Sequence, residues 1–337
     1  MTRLVSSKRR CLAIVIRCST PSLISSYLGP IAGGPFPESH VHPPAVTTEF
    51  FEQVCPHPTI VDVAQTQGDL QWASASNIMS GFSDALRKID DNCIELKRDS
   101  GQVFNFWIFG DGSRMSDIWD ELIHSPILTE WKWSPLALSA IETNRHLIHP
   151  SIDLNGHHRA SLPGLLALHI RRNDFKDHCL HLAKWKSSYN AFNVRPDFPD
   201  QFVPPEGGGD GDNTSEGYAF YQKHCFPEID DIVRRAMEVR AESKRPLDRI
   251  YILTNGRKEW LEELKASLRE KTGPWTAITT SRDLKLTWEQ KYVAQAMDMS
   301  IATRAEVFVG NAWSSLTSNV NLLRMAQSRS PYTTRFR

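Results

Sequence analysis

Two adjacent arginines, Arg171 and Arg172, are the residues of this sequence best suited to do chemistry. They follow the apolar run Leu165–Ile170, which is typical of a buried strand, and Asp174 stands two positions beyond them. A guanidinium group is planar, permanently charged and able to hold two oxygens at once, so a pair at a strand end suits a diphosphate. The structural alternative is a solvated loop entrance, or an ion pair with Asp174.

A second strand end offers groups that could bind the rest of a nucleotide. The segment Arg249–Thr254 has strand character and runs into Asn255 and Gly256. Glycine permits a tight turn, and the Thr254 and Asn255 side chains can hydrogen-bond to a ribose or a base. An ordinary Asn-Gly turn explains the same residues, so this feature counts only in combination with the others.

A third strand end precedes a helix that opens on hydroxyl residues. The apolar segment 306–309 is followed by Gly310 and Asn311, and the next helix is expected to start at Ser314 and Ser315, with Ser318 one turn later. The free N–H groups and positive dipole end of a helix start accept phosphate oxygens. A plain capped helix is the alternative, because serine is favoured at helix starts for local reasons.

No residue cluster predicts a metal site. The pairs His178-Cys179 and His224-Cys225 look like zinc ligands, but adjacent residues rarely point at one ion and the usual ligand spacing is missing. A disulfide between Cys179 and Cys225, or two packed thiols, explains the cysteines better. Asp298 lies in an apolar helical stretch, where a carboxylate needs a partner such as a backbone cap, an arginine or a ligand.

The composition limits the possible partners. The 337 residues are 40% hydrophobic and 23% charged, as in an ordinary globular protein. The 39 basic and 39 acidic residues cancel, so no overall field favours nucleic acid or an anionic membrane, and an anion site has to be local. No apolar window reaches the length of about 18 residues that a membrane-spanning helix needs. The basic residues 8–10 and the apolar run 11–16 resemble the start of a signal peptide, but Arg17 ends that run.

The elements that must position these strand ends are readable mainly after residue 160. There, strand-type segments alternate with helix-type segments, which predicts an α/β fold with a parallel sheet covered on both faces. Such sheets bind ligands beyond the carboxyl ends of their strands. The residues between the first strand and residue 217 are expected to be irregular. The helices are expected at residues 135–149, 218–242 with a break at Pro227, 257–271, 288–304 and 314–327, and one further strand at 275–279.

The order and spacing of these pieces resemble the GDP-fucose-dependent fucosyltransferase superfamily. That group comprises the protein O-fucosyltransferases, the α1,6-fucosyltransferases and the rhizobial Nod-factor fucosyltransferases, and fungal members look most similar. The resemblance covers roughly residues 160 to 337. Three motifs of the group have counterparts here: His169-Ile-Arg171-Arg172-Asn173-Asp174, Tyr251-Ile-Leu-Thr254-Asn255, and Val309-Gly310-Asn311-Ala-Trp-Ser314-Ser315-Leu-Thr-Ser318 with Arg324 further on.

The resemblance implies a GT-B-like fold, with a Rossmann-type parallel sheet in the C-terminal half. It implies a partial or degenerate N-terminal α/β domain on the acceptor side at 61–160 and a nucleotide-sugar-binding domain at 161–337. Clusters of Ser, Thr, Pro and Gly predict that the preceding segment, residues 1–60, is loosely ordered. The resemblance further implies a glycosyltransferase of fucose metabolism that transfers fucose from GDP-fucose to a hydroxyl acceptor, a protein or a glycan. The transfer is inverting and needs no metal or other cofactor.

The resemblance also assigns roles to residues. Arg171, supported by Arg172, neutralises the charge on the leaving phosphate, and such stabilisation commonly supplies a large share of a rate enhancement. Ser314 and Ser315 bind the diphosphate. The remaining donor-site residues lie around the phosphates, the ribose and the guanine: His169, Asn173, Asp174, Thr254, Asn255, Asp298, Asn311 and Ser318.

One departure from the family pattern qualifies the expected activity. Family members begin with a strand and a Gly-Gly or His-containing loop ending in Asn-Gln, whereas Gly33-Gly34 here leads to Pro-Phe-Pro-Glu. The alternative function is therefore a catalytically inactive paralogue that binds a nucleotide or a glycan. A transferase of the same fold with a different nucleotide-sugar donor is a third possibility. The resemblance favours the secretory pathway, where Asn213-Thr-Ser215 could accept a glycan, although the N-terminus gives no clear signal peptide.

Overall fold

The computed structural model describes residues 48–105, 107–129, 131–152 and 160–337. The chain forms two compact units, Met1–Pro135 and Leu136–Arg337. Most of the predicted loosely ordered segment lies outside the described residues, as do Gly33 and Gly34 of the degenerate loop. Its last part, residues 48–60, contains a helix and the start of a strand.

The first unit is a small α/β arrangement. Its strands β1 (Thr59–Val61) and β2 (Ile94–Leu96) pair in parallel. A disulfide between Cys55 and Cys93, which the sequence did not predict, joins the segments that lead into the two strands. The described part of this unit also contains seven α-helices: α1 (Thr48–Val54), α2 (Val63–Gln67), α3 (Ala75–Arg87), α4 (Trp107–Gly110), α5 (Gly112–Met115), α6 (Trp119–Ile123) and α7 (Pro126–Thr129).

The second unit is built on a five-stranded sheet in the order β5-β4-β3-β6-β7. All of its neighbouring strands run parallel. The prediction of an α/β fold with a Rossmann-type parallel sheet in the C-terminal half is thus confirmed. The strands are β3 (Leu162–Ile170), β4 (Arg249–Thr254), β5 (Ala277–Thr280), β6 (Ala305–Gly310) and β7 (Thr334–Phe336).

The helices of this unit follow the predicted order with two differences. The helix expected at 218–242 breaks at Pro227, as predicted. The first difference is that the helix expected at 288–304 is interrupted at Tyr292 and Val293. The stretch after β3, expected to be irregular, instead begins with helix α9. The helices are α8 (Pro135–Ile148), α9 (Phe175–Lys184), α10 (Ser215–Cys225), α11 (Ile229–Glu242), α12 (Lys258–Lys271), α13 (Trp288–Lys291), α14 (Ala294–Arg304) and α15 (Ser315–Ala326). None of the described helices is both long and apolar enough to cross a membrane.

Helices pack on both faces of the sheet, to which the side chains of each strand point alternately. One face forms a buried apolar cluster with α11 and α12, in which Ile250 and Ile252 of β4 take part. Tyr251, between them, points to the other face and donates a hydrogen bond to Asp298 of α14. The strands are therefore fixed from both sides, and their carboxyl ends form a rigid edge.

The end of the chain is tied to the sheet by Arg324, the arginine of the third motif. Its buried guanidinium donates to the backbone carbonyls of Ala302 and Ala305 and to the Thr334 hydroxyl, so it links α14, β6 and β7. Burial lowers the pKa of Arg324 to about 9. These contacts give Arg324 a structural role.

Candidate functional site

A cavity of about 740 Å³ opens at the carboxyl edge of the five-stranded sheet. Residues from β3, β4, the segment after β5, α13, α14 and the start of α15 line it. Five of the twelve residues assigned to the site from the sequence are among the lining residues: His169, Arg171, Thr254, Asn255 and Asp298. The cavity thus forms where parallel sheets generally bind ligands.

Arg171 presents a partly available guanidinium to this cavity. One terminal nitrogen donates to Asp174 Oδ2 at 2.7 Å, and the side chain is 40% exposed. Its buried Nε atom has no hydrogen-bond partner among the described residues. The ion pair that was the structural alternative is therefore present. It lowers the pKa of Asp174, so the carboxylate stays ionised, and it leaves donors of Arg171 for a ligand.

Arg172 does not line the cavity. Its guanidinium carbon lies 3.6 Å from the centre of the Phe226 ring and 4.4 Å from a Trp260 ring, and one nitrogen donates to the carbonyl of Pro227 at 2.7 Å. Burial lowers the pKa of this guanidinium. The expectation that two guanidinium groups face one diphosphate is therefore not met, since only the first of the pair reaches the cavity.

Asn255 joins the turns that follow β3 and β4. Its side-chain oxygen accepts from the backbone N–H of Arg172 at 2.7 Å, and its side-chain nitrogen donates to Asp174 at 3.1 Å. Its carbonyl accepts from the side chain of Asn173, whose left-handed backbone (φ 52°) turns the chain at this point. These bonds fix the turn that follows β3, and one of them holds the carboxylate of Asp174, the partner of Arg171.

His169 connects the end of β3 to helix α15. Its Nδ1 atom lies 2.9 Å from the hydroxyl of Thr317, a residue that sequence reasoning did not select. Burial, together with the charges of Arg337 and Arg171, lowers the pKa of His169 to about 3, so the ring is neutral at physiological pH. Thr317 also packs against Gly310, where a Cβ atom would overlap its side chain. The start of α15 is therefore in contact with the ends of β3 and β6.

Asp298 forms the polar end of the cavity. It accepts hydrogen bonds from Tyr251 at 2.6 Å and from the Ser281 hydroxyl at 2.9 Å. Burial raises the pKa of Asp298 to about 7, even though both hydrogen bonds favour the ionised form. The Thr254 hydroxyl accepts from the N–H of Gly256, and the Thr254 N–H donates to Ser281. These residues could accept hydrogen bonds from a nucleobase or a ribose.

At the start of α15, the side-chain hydroxyls do not converge on the cavity, so the helix start offers a ligand backbone groups instead. Ser314 occupies the cap position without a side-chain capping bond, and Ser315 is exposed at the first helical position. Asn311 and Ser318 are buried: Asn311 donates to the carbonyl of Cys225, and the Ser318 hydroxyl accepts from the N–H of Phe192. None of these four side chains lines the cavity, whereas the neighbouring Leu316 does.

Basic residues after β5 complete the cavity wall and were missed from the sequence. Arg282, Lys285 and Lys291 line the cavity together with Arg171, whereas Asp298 is the one acidic lining residue among those the structure describes. The sequence could have indicated these residues, because they follow the predicted strand β5, and parallel sheets bind ligands beyond the carboxyl ends of their strands. The excess of positive charge suits a polyanionic ligand. In the part of the chain that the structure describes, no group of His, Cys, Asp or Glu side chains is arranged to hold a metal ion.

Comparisons with known proteins place these features in context. The model of the GDP-fucose protein O-fucosyltransferase family matches residues 122–327. A crystal structure of POFUT1 in complex with GDP-fucose is 12% identical, with a TM-score of 0.50, and the match covers 94% of this chain and 91% of that chain. Another, of POFUT1 in complex with GDP, is 12% identical with a TM-score of 0.45 over 76% of this chain, and the match spans 60% of that chain. No curated protein sequence matches the chain significantly.

Proposed function

Because the chain belongs to the GDP-fucose protein O-fucosyltransferase family, we propose that it binds GDP-fucose and transfers fucose to a hydroxyl acceptor. The observation that carries the proposal is the position of Arg171, whose guanidinium lines a basic cavity at the carboxyl edge of a parallel sheet. The family and the fold support a fucosyltransferase-like function. The donor, the inverting course and the acceptor are parts of the proposal.

In the proposed reaction, the acceptor oxygen attacks the anomeric carbon of fucose from the face opposite GDP. The bond from that carbon to the β-phosphate oxygen breaks, its electron pair stays on the phosphate, and the acceptor proton passes to a base that we do not assign. Arg171 stabilises the charge that grows on the phosphate. Its ion pair with Asp174 at 2.7 Å fixes the guanidinium before the reaction begins, and a prearranged charge costs no reorganisation in the transition state.

The proposed donor site needs no metal because the protein supplies the positive charge. Arg282, Lys285 and Lys291 surround the cavity with Arg171, and the N-terminal end of α15 adds free N–H groups close to the end of β3. At the other end of the cavity, ionised Asp298 could accept the N–H groups on the edge of guanine. Thr254 and Asn255, which line the same cavity, would face the ribose.

An inactive paralogue that binds a nucleotide or a glycan is the second candidate. The observation in its favour is that Asp174 already occupies one nitrogen of Arg171 and that Arg172 does not line the cavity, so the two arginines of the first motif offer fewer donors to a diphosphate than the sequence predicts.

Calorimetric titration with GDP and UDP tests the donor site. We expect GDP to bind more tightly than UDP, and Arg171→Ala to weaken GDP binding, while Arg234→Ala, which changes an exposed arginine outside this cavity, has no effect. Equal affinities for GDP and UDP would contradict the assignment of guanine to Asp298. Release of GDP from GDP-fucose by wild type then separates the transferase from the inactive paralogue, which binds GDP without turnover.

We also propose that the chain works in an oxidising compartment such as the secretory pathway. Two disulfides among the described residues, Cys55–Cys93 and Cys179–Cys225, support this because structural disulfides are rare in reducing compartments. The second disulfide agrees with one of the two explanations that the sequence left open. Glycosylation of Asn213 is less well supported, since its side-chain nitrogen donates to the carbonyl of Ala183 at 2.6 Å.

A further inference from the structure

Helix α9, which begins directly after the turn that holds Arg171, carries a row of aromatic rings along one flank. In chain order, the rings of this aromatic row belong to Phe175, His178, His181 and Trp185. The centres of successive rings lie 5.0, 6.4 and 6.4 Å apart. Side chains three or four positions apart are neighbours on a helix surface, so the four rings follow one another without interruption.

The aromatic row starts at the donor cavity and continues on the surface. The guanidinium carbon of Arg171, which lines the cavity, lies 5.5 Å from the centre of the buried Phe175 ring. The next three rings are exposed, and for Trp185 the exposed fraction is 55%. Contiguous exposed rings of this size generally mark a binding surface. This surface extends outward from the residue that stabilises the leaving phosphate in the proposed reaction.

The exposed rings combine flat faces with polar edges. Burial, together with the charges of His181 and Arg171, lowers the pKa of His178, so its imidazole is neutral at neutral pH and has one N–H donor and one nitrogen acceptor. The indole of Trp185 adds another N–H donor. A sugar ring matches this arrangement, because its C–H groups form a flat apolar face and its hydroxyls lie at the edge.

The shape of the surface also favours an oligosaccharide over a polypeptide. Polypeptides are commonly bound in a groove, at a strand edge or by a charged cluster. The flank of helix α9 is convex, and it presents separate stacking faces at a spacing similar to the length of one pyranose unit. Successive sugars of a chain can therefore lie on successive rings.

We propose that the aromatic row binds the acceptor and that the acceptor is an oligosaccharide, whose sugars stack on His178, His181 and Trp185. The inference rests on the proposed transferase function, because it names the acceptor class for the same site. The sugar nearest Arg171 supplies the attacking hydroxyl. Its oxygen forms the bond to the anomeric carbon of fucose, GDP leaves with the electron pair of the broken bond, and the hydroxyl proton passes to the unassigned base.

An array that carries neutral oligosaccharides and, separately, unglycosylated peptides with Ser and Thr tests the proposal on the full chain with GDP present. Wild type should bind oligosaccharides, and Trp185→Ala should weaken that binding by about tenfold because a stacking face is lost. Trp185→Phe keeps a ring and should retain most of the affinity. The matched control Tyr332→Ala removes a ring that is 72% exposed just before β7, at the other edge of the sheet, and should change the affinity by less than about twofold.

Calorimetric GDP affinity separates this inference from the proposed function. Trp185→Ala should bind GDP as wild type does, because Trp185 does not line the donor cavity. The acceptor assignment is overturned if wild type binds GDP but no oligosaccharide, if labelled GDP-fucose modifies the peptides alone, or if Trp185→Ala binds oligosaccharides with wild-type affinity. Absence of GDP binding by wild type would instead refute the donor site, and the acceptor role of the aromatic row would fall with it.

Discussion

Arg171 and Arg172 are neighbours in sequence, yet their replacement by alanine should produce opposite effects. Arg171 is 40% exposed, and it forms an ion pair with Asp174, which is 59% exposed. An exposed pair of this kind contributes about 1 kcal/mol or less, so Arg171→Ala should lower the melting temperature by no more than about 2–4 °C. If Arg171 stabilises the leaving phosphate, its loss should reduce turnover of GDP-fucose by about 10²–10³-fold.

For Arg172→Ala the larger effect should be on stability. The Arg172 side chain is 12% exposed, lies over Phe226 and Trp260, and donates to the carbonyl of Pro227. A desolvated cation–π contact is worth about 2 kcal/mol, and a hydrogen bond from a charged donor about 1.5–3 kcal/mol. Since such terms overlap, we expect a loss of about 3 kcal/mol, or about 6–12 °C in melting temperature. At temperatures where the variant remains folded, its turnover should fall less than that of Arg171→Ala.

The assay measures GDP release from GDP-fucose and thermal unfolding on the same preparations of wild type and both variants. If wild type binds GDP without turnover, calorimetric GDP affinity replaces the rate as the readout. Arg171→Lys is the matched control, because it keeps the charge and loses the planar fork. The reasoning is refuted if Arg171→Ala retains wild-type turnover, or if Arg172→Ala unfolds at the wild-type temperature.

Three further predictions concern the framework of the site. Burial raises the pKa of Asp298 to about 7 in the folded protein, whereas an Asp in the unfolded chain titrates near pH 4. The stability that protonation of Asp298 contributes is therefore fully present below about pH 4 and is lost as the pH rises through about 7. Asp298→Asn should therefore gain stability relative to wild type between these pH values in thermal melts, and a constant difference would contradict the shift. Gly310→Ala should cost about 1–3 kcal/mol in denaturant unfolding because a Cβ there overlaps Thr317, and an added Thr317→Ser should recover part of the loss. Replacing Cys179 and Cys225 together by alanine should cost about 4 kcal/mol of unfolding free energy, with reductant having less effect on the variant than on wild type.

The sheet could be predicted from the sequence because its strands are short apolar runs that alternate with helices of regular period. The same pattern located the ends of β3, β4 and β6, since the carboxyl ends of parallel strands share an edge. Helix α9 was missed because charged and histidine residues interrupt its apolar face, of which Phe175, Cys179 and Ala183 are buried. The apolar residues of α9 recur at regular helical spacing, but they are few.

The side-chain directions at the site could not be predicted. Arg171 and Arg172 look equivalent in the sequence, and only the packing of Phe226 and Trp260, which lie far along the chain, turns the second away from the cavity. Similarly, nothing near Thr317 in the sequence indicates its hydrogen bond to His169, because that contact forms only when α15 packs on the sheet. Local patterns thus identified the edge of the sheet, and long-range packing decided which residues face the ligand.

The placement of the two disulfides has a consequence for how the protein is made. Cys55–Cys93 closes within the first unit and Cys179–Cys225 within the second, so neither bond crosses the boundary at residues 135–136. During synthesis the N-terminal part of a chain generally folds first. The bond between Cys55 and Cys93 can therefore form before Cys179 and Cys225 leave the ribosome, which separates in time the pairing of these four thiols.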